Sequence, residues 1–389
     1  MDKRDIHNRE RSLNAALKKL NKSAILEQNK KLILSFKEEC VAQGLSTDRV
    51  LFYLDKLRMM AEGLKKEYNK LDKEDIKDIV LFIEKKDISP WTKQGYKVAL
   101  KKFYKWLNGG LGYPSIVSWV NTNVKQSSKV LPTNLISKDE IMKMINRAKY
   151  FRDKAIIMTL YESGFRIGEL LNMKIGDLEF TNYGVKINVM GKTGSRRVLL
   201  ISSMPYISNW IANHPDRNNP DAYVWTTLRY TKKWGKELNY HAVKKMISLI
   251  ANDCGVTKKI NPHSFRHARA TELANKLTEA QMNMYFGWVQ GSNMPATYVH
   301  LSGRDVDNAI MGIHGLVKED RKEEEFNTKL CPRCELMNPH NIDMCRRCGM
   351  ILDEKKAIEA EGKDKEVLKM LSNPEILSKL LSLVKEKVQ

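Results

Sequence analysis

Along the first 125 residues apolar side chains recur at helical spacing. In "STDRVLFYLDKLRMMAEGL", Val50, Leu51, Leu54, Leu57 and Ala61 follow a period of about 3.6 residues behind a Ser-Thr pair suited to capping. "DKEDIKDIVLFIEKK" is a second segment of this kind. "SPWTKQGYKVALKKFYKWLNGG" opens with Ser89 as cap and Pro90 at the first helical position, and stops at a glycine pair. Residues 1–125 are therefore predicted to form an all-helical domain. The polar, Pro-interrupted stretch 126–136 breaks the pattern and reads as a basic linker. "SKDE" at 137–140 has the form of a capping box and opens a second domain.

The second domain mixes two periods. "KINVM" and "RRVLLI" are β-rich and flank "GKTGS", the pattern of a hairpin. Helical segments follow to about residue 316. In one of them, "NPHSFRHARATEL" at 261–273, Asn261-Pro262 begins a helix and Phe265, Ala268, Leu273 and Ala274 supply its apolar side. Its first turns also carry His263, Arg266, His267 and Arg269, more cations than packing needs. "RKEEE" at 321–325 reads as a solvated tether, and residues 355–389 as an amphipathic helical tail. The chain shows no long-period repeat.

Charge changes the picture. The 389 residues allow two or three domains, and 67 Lys plus Arg against 46 Asp plus Glu give a net charge of +21. That excess points to a polyanion, most often nucleic acid. No apolar run reaches the roughly 18 residues of a membrane span, and "MDKRDIHNRERSL" lacks the apolar core of a signal peptide. The expected location is the cytoplasm, with no membrane partner.

Of six cysteines, Cys40 and Cys254 stand alone. The others form "CPRCELMNPHNIDMCRRCG", two C-x-x-C pairs ten residues apart. Cys331, Cys334, Cys345 and Cys348 can offer four thiolates to one structural Zn²⁺, and Gly349 suits the tight turn beyond the second pair. Redox or disulfide pairing is the competing reading, disfavoured in a reducing compartment. A zinc ribbon at 328–352 is too short to bury much core, so the metal would be its fold. Arg333, Arg346 and Arg347 are its candidates for DNA contact; a neighbouring protomer is the other possible partner.

Single residues carry little alone. Arg166 follows Gly164 at a helix start, a place for an oxyanion, but a surface ion pair with Glu169 or Asp177 explains it as well. Lys192 sits at the hairpin tip like many turn lysines. His263 and Arg266 share a helix face three residues apart and would make an ordinary structural pair. Trp288 and Tyr298 would serve as core anchors. In chain order, however, the set is Arg, Lys, His-x-x-Arg, Trp, Tyr. With its contexts "GFRIGEL", Gly-Lys in a hairpin and "HSFRHARATEL", it resembles the tyrosine recombinases, the family of phage integrases and chromosome-dimer resolvases. The motif-level likeness covers about 160–316 and the architecture about 20–316. The ending "YVHLSGRDVDNAI" and the cysteine cluster look most like the branch found in archaeal plasmids and proviruses.

The resemblance implies a multidomain, mainly α protein. A helical core-binding domain would close a clamp on double-stranded DNA with a mixed α/β catalytic domain at 137–316 that contains a small hairpin sheet. Tyr298 would attack a phosphodiester, leaving a 3′-phosphotyrosine and a free 5′-hydroxyl. Arg166 and Arg266 would clamp the non-bridging oxygens, and Trp288 would donate its indole N–H to one. His263 would bind the phosphate or take the phenolic proton, and Lys192 would protonate the leaving 5′-oxygen. The strand exchange needs no metal, and recombination implies a homotetramer on DNA. Glu169 is expected to orient its neighbours, and His267 and Arg269 to serve helix-face or DNA-backbone contacts. Trp288 and Tyr298 lie ten residues apart, one more than is common in the family, with Pro295 between them; Tyr285 is the second choice of nucleophile. Lys93, Lys97, Lys101 and Lys105 form a basic stripe for phosphates, with Trp91, Leu100, Phe103 and Trp106 behind it. The alternatives are a type IB topoisomerase-like nicking and resealing enzyme and a catalytically silent, zinc-ribbon nucleic-acid-binding regulator.

Overall fold

The computed structural model describes residues 4–124, 135–191, 194–228, 234–274, 276–301, 314, 328–339 and 342–353, with isolated positions up to 372. The expected linker falls almost wholly outside these residues, as do Lys192, residues 302–313, the 321–325 tether and most of the 355–389 tail. The chain forms two compact units, one of residues 7–129 and one of residues 1–6 with 130–389.

The first unit is all helical: α1 (Arg9–Lys22), α2 (Glu27–Ala42), α3 (Thr47–Ala61), α4 (Lys73–Lys85), α5 (Pro90–Leu107) and the single turn α6 (Ser115–Ser118). Helix α4 begins with a reciprocal capping box between Asp72 and Asp75. Helix α5 begins with the Ser89 hydroxyl accepting from Thr92 N–H, followed by Pro90. Their apolar stripes meet around Phe36, Leu57, Tyr68, Ile76, Leu100 and Phe103, all at most 1 % exposed. Phe36 and Phe103 pack edge to face at 5.3 Å, a geometry worth about 0.5–1.5 kcal/mol beyond area burial.

The lysine stripe on α5 is not a free row of charges. Lys93 and Lys97 pair with Glu84, while Lys101 donates to the carbonyls of Ser118 and Val120 and lies over the Tyr113 ring. Lys105 reaches the same ring. The i,i+4 spacing lines them along one face, and that face meets an acid and the chain after α5. Leu100 and Phe103 pack behind it as expected, but Trp91 is 57 % exposed.

The second unit takes in residues expected in the first. Ile6 is 4 % exposed, its carbonyl accepts from Tyr240 N–H at 3.1 Å, and Arg4 donates to the Leu238 carbonyl and lies over the Tyr223 ring. An isolated apolar side chain in a polar N-terminal run finds its burial there rather than in the helical unit.

This unit contains α7 (Lys138–Arg147), α8 (Phe151–Ser163), α9 (Ile167–Leu171), strands β1 (Leu178–Phe180), β2 (Val185–Gly191) and β3 (Gly194–Leu200), then α10 (Met204–Ala212), α11 (Tyr240–Asp253), α12 (Pro262–Leu273), α13 (Glu279–Phe286) and α14 (Met294–Leu301). Ser137 and Glu140 cap α7 reciprocally, as "SKDE" predicts. Helix α8 is buried from Ala155 to Ser163 and packs against α7, α10 and α12, which makes it the axis of the unit. The strands form one antiparallel sheet in the order β1-β2-β3. In it Val185 pairs with Leu200 and, at the far end of the two strands, Gly191 with Gly194. Alternation places Val185, Ile187, Val189, Val198 and Leu200 in the core. A short hairpin, β4 (Lys329–Leu330) with β5 (Met337–Asn338), carries the first cysteine pair. Among the described residues no helix is long and apolar enough to cross a membrane.

Candidate active site

The site begins where α8 stops. Gly164 takes φ 57°, which ends the helix in the left-handed region. A Cβ there would fall 2.5 Å from Phe286 Cε1, so only glycine permits the approach. The turn delivers Arg166 to the start of α9. Its guanidinium donates to Glu169 Oε1 at 3.0 Å and to the carbonyls of Phe286 and Gly287, between α13 and α14.

Glu169 is 5 % exposed and joins two arginines. It accepts from the Arg166 backbone at 2.9 Å, from the Arg166 side chain, and from Arg196 through both oxygens at 3.0 and 2.9 Å. Burial pushes this carboxyl upward, but Arg196 and then Arg166 outweigh it and hold the pKa below the ordinary value. Arg196 also donates to the Tyr285 carbonyl. Two glycines make room for this pair: a Cβ on Gly191 would lie 2.8 Å from Glu169 Oε1, and one on Gly287 2.7 Å from Arg196 Nη1. The end of β2 at Gly191 therefore lies against the Glu169 carboxylate; Lys192 lies outside the described residues. Glu169→Ala would leave two guanidiniums without their anion in a largely dry place. Urea unfolding should show a loss of about 3–5 kcal/mol; a loss under about 1 kcal/mol would mean that Glu169 is not the counter-ion that holds the pair.

Helix α12 is capped by Asn261, which accepts from His263 and Ser264 N–H. Arg266, 2 % exposed, donates to the carbonyls of Gly164 at 2.8 Å and Phe286 at 2.7 Å and faces the rings of Phe286 and Trp288. Arg166 and Arg266 thus both reach the Phe286 carbonyl. Burial, then repulsion from Arg166, lowers Arg266 to about 10, which leaves it charged at neutral pH.

Tyr298 is 2 % exposed on α14. Its ring stacks on Trp288 at 5.5 Å and 5°, and Trp288 stacks on Phe286. Its hydroxyl lies 2.7 Å from Nδ1 of His267. Burial raises its pKa, and Arg266 opposes the shift. The His263 ring lies 4.5 Å from the His267 ring, edge-on, and reaches solvent. Arg166, Arg266, His263, Trp288 and Tyr298 are therefore brought together around α12 and the α13–α14 turn. Tyr285 is differently placed: its hydroxyl donates to the Glu162 carbonyl at 2.6 Å, and burial pushes it up to about 12.

Two assignments change and one residue is added. His267 is turned toward the Tyr298 hydroxyl. Arg269 is internal, donating to the Glu162 carbonyl and to Glu272. Arg196 was not singled out at all. It shares the inward face of β3 with Val198 and Leu200, so an arginine in phase with buried aliphatic residues was the available signal.

Burial and the positive charge of His267, Arg266 and Arg166 pull His263 down to about 4; burial and Arg266 lower His267, and burial lowers His214. Free histidine titrates near about 6.5. As pH falls below that value the unfolded chain binds protons that the folded chain refuses, so stability drops. The melting temperature should be lower at pH 5 than at pH 7, and His263→Gln with His267→Gln should shrink the difference. An equal difference in the double variant would assign the effect elsewhere.

The four clustered cysteines hold their Sγ atoms within 4.8 Å of one another. Cys331–Cys348 and Cys334–Cys345 are separated by 3.4 and 3.5 Å, too long for disulfides at about 2.05 Å and suited to thiolates around one tetrahedral cation. Turns closed by Glu335 N–H to Cys331 O and by Gly349 N–H to Cys345 O form the two knuckles. The buried Asn338 amide lies near Cys345 Sγ. The donors and their spacing fit a metal ion. Arg346 is exposed, and its guanidinium lies 5.9 Å from the Phe151 ring centre.

A buried tyrosine beside two fixed guanidiniums, on a mainly helical scaffold with one small antiparallel sheet, has the make-up of a site for phosphodiester chemistry. Over residues 134–304 the chain matches the phage integrase family. It is 22 % identical over 253 residues to tyrosine recombinase XerD of Bifidobacterium longum, which covers 60 % of this chain and 80 % of the relative. The fold matches XerH site-specific recombinase bound to its palindromic difH substrate after cleavage, with TM-score 0.56 and 17 % identity over 80 % of this chain and 98 % of the other. It also matches a lambda integrase tetramer bound to a Holliday junction, with TM-score 0.57 and 12 % identity over 73 % and 80 %.

Proposed function

We propose that this chain is a site-specific DNA recombinase of the integrase type, which cuts and rejoins double-stranded DNA through a 3′-phosphotyrosyl intermediate. The observation that carries the reading is the convergence of Tyr298 with Arg266 and Arg166 through the Phe286–Trp288 turn. Tyr298 attacks phosphorus. Arg166 and Arg266 donate to the non-bridging oxygens, where negative charge grows in the transition state. Both are held by backbone carbonyls and Glu169, so little reorganisation is left for the reaction. His263, open to solvent one helical turn before His267, binds the phosphate, and the Trp288 indole N–H adds a donor. Lys192 protonates the departing 5′-oxygen; this role comes from the family likeness.

The substrate is a pair of recombination sites in double-stranded DNA, and the working assembly is a homotetramer, as in the lambda integrase complex. The cytoplasm is where such a substrate is met. The cysteine cluster holds one structural Zn²⁺ per chain. When bound, that ion supplies the cross-link which the two-residue strands of the ribbon lack.

The test uses a library of nicked duplexes. Covalent protein–DNA adducts are recovered under denaturing conditions and sequenced, and two duplexes bearing the recovered site are then incubated and their junctions read. Adducts at one sequence and exchanged junctions are expected. Relaxation of supercoils with no exchange would favour the topoisomerase reading, and DNA binding with no adduct would favour a silent regulator.

A further inference from the structure

His267 belongs to none of the roles assigned so far. It is nevertheless the only side chain described within hydrogen-bonding distance of the Tyr298 hydroxyl, at 2.7 Å from Nδ1. The contact joins two helices, α12 and α14. It also follows directly in sequence from Arg266, the guanidinium whose charge acts on Tyr298. His263 lies one turn earlier, and its ring meets that of His267 edge-on at 4.5 Å. The two histidines thus divide the space: His263 is the exposed ring toward solvent, and His267 is the one against the phenol.

We propose that His267 is a further catalytic residue, the base that takes the phenolic proton of Tyr298 as the tyrosine attacks DNA. The proposal deepens the recombinase reading and rests on it. With Nε2 protonated, Nδ1 accepts a hydrogen bond from the tyrosine hydroxyl. In the step, the Tyr298 oxygen forms a bond to phosphorus, the bond from phosphorus to the 5′-oxygen breaks, and the phenolic proton passes to Nδ1. The departing oxygen takes its proton from Lys192. In the reverse step the imidazolium returns its proton to the tyrosine oxygen.

The surroundings suit a base. Burial and Arg266 keep His267 unprotonated at neutral pH. The same burial keeps Tyr298 in its phenol form, so attack needs a proton acceptor at hand. The positive charge produced on His267 is unfavourable beside Arg266 in the free protein. It becomes tolerable when the phosphate brings its negative charge against that arginine.

The test is single-turnover adduct formation on a nicked duplex of the captured site, at saturating DNA. His267→Ala should be slowed by about a hundredfold or more, the usual range for losing a positioned base, with DNA affinity unchanged. Added imidazole should restore part of the rate to His267→Ala and none to Tyr298→Phe. His267→Gln keeps the volume and a hydrogen-bonding group but is not basic, so it should stay slow; it also reads the effect if the alanine variant unfolds. Cleavage by His267→Gln at the wild-type rate, or by His267→Ala at or above it, would overturn the proposal and make His267 a holder of the tyrosine. The two levels fail differently. No adduct from the wild type at any sequence removes the recombinase reading. An adduct that depends on Tyr298 but not on His267 removes only the base.

Discussion

Tyr298→Phe is expected to bind DNA as the wild type does and to form no covalent adduct. The substitution removes one oxygen and leaves the ring to stack on Trp288 at the same 5.5 Å. Folding should change little, because only the hydrogen bond to His267 is lost, a net effect of about 0.5–1.5 kcal/mol. The chemistry should change completely, because a phenyl ring has no nucleophile. Tyr285 offers no substitute: its hydroxyl is committed to the Glu162 carbonyl and its pKa is about 12. A denaturing gel with a labelled nicked substrate separates the outcomes. Adduct persisting in Tyr298→Phe would move the nucleophile elsewhere, and adduct vanishing in a folded Tyr285→Phe would point to that residue.

The second large effect concerns the cysteine cluster. Protein purified without chelators should contain one zinc per chain, and Cys345→Ser should lose the metal and unfold residues 328–353. The apolar core of this segment is slight: among the described residues Cys331, Asn338, Pro339 and Cys345 are the buried ones, and its strands span two residues each. Zinc binding in comparable small peptides contributes about 10–16 kcal/mol, far more than such strands supply. Hydrogen exchange should therefore show the ribbon amides lose protection while the α8 amides keep theirs. DNA cleavage should persist at least in part, since the ribbon contacts α10 and carries none of the residues assigned to the reaction. An ordered ribbon in metal-free protein would count against the site.

Much of this was legible in residue order because the relevant physics is local. The caps at Ser89, Ser137 and Asn261 are satisfied by donors two or three residues away, so they can be read directly from the chain. The β2–β3 hairpin follows from two alternating runs and a glycine-flanked turn. The cysteine pairs declare themselves because each pair is a single tight knuckle. The order of Arg166, the His263–Arg266 pair, Trp288 and Tyr298 was visible too, since one α-helical turn holds the central pair in phase.

What the residue order could not settle depends on contacts between distant segments. The lysines of α5 have the spacing of a phosphate-tracking stripe, yet Glu84 and the chain near Tyr113 occupy them, and neither is a helical neighbour. Ile6 joins the second unit because that is where its side chain finds an apolar surface, 234 residues from the tyrosine whose N–H meets its carbonyl. The partner of His267 is Tyr298, 31 residues on, across two further turns of chain. Arg196 reaches Glu169 only once the hairpin has folded back beside α9. Helical phase and strand alternation determine which way a side chain faces on its own element. Which group it then meets is decided by the packing of one element on another, and for His267 and Arg196 that meeting is what defines the role.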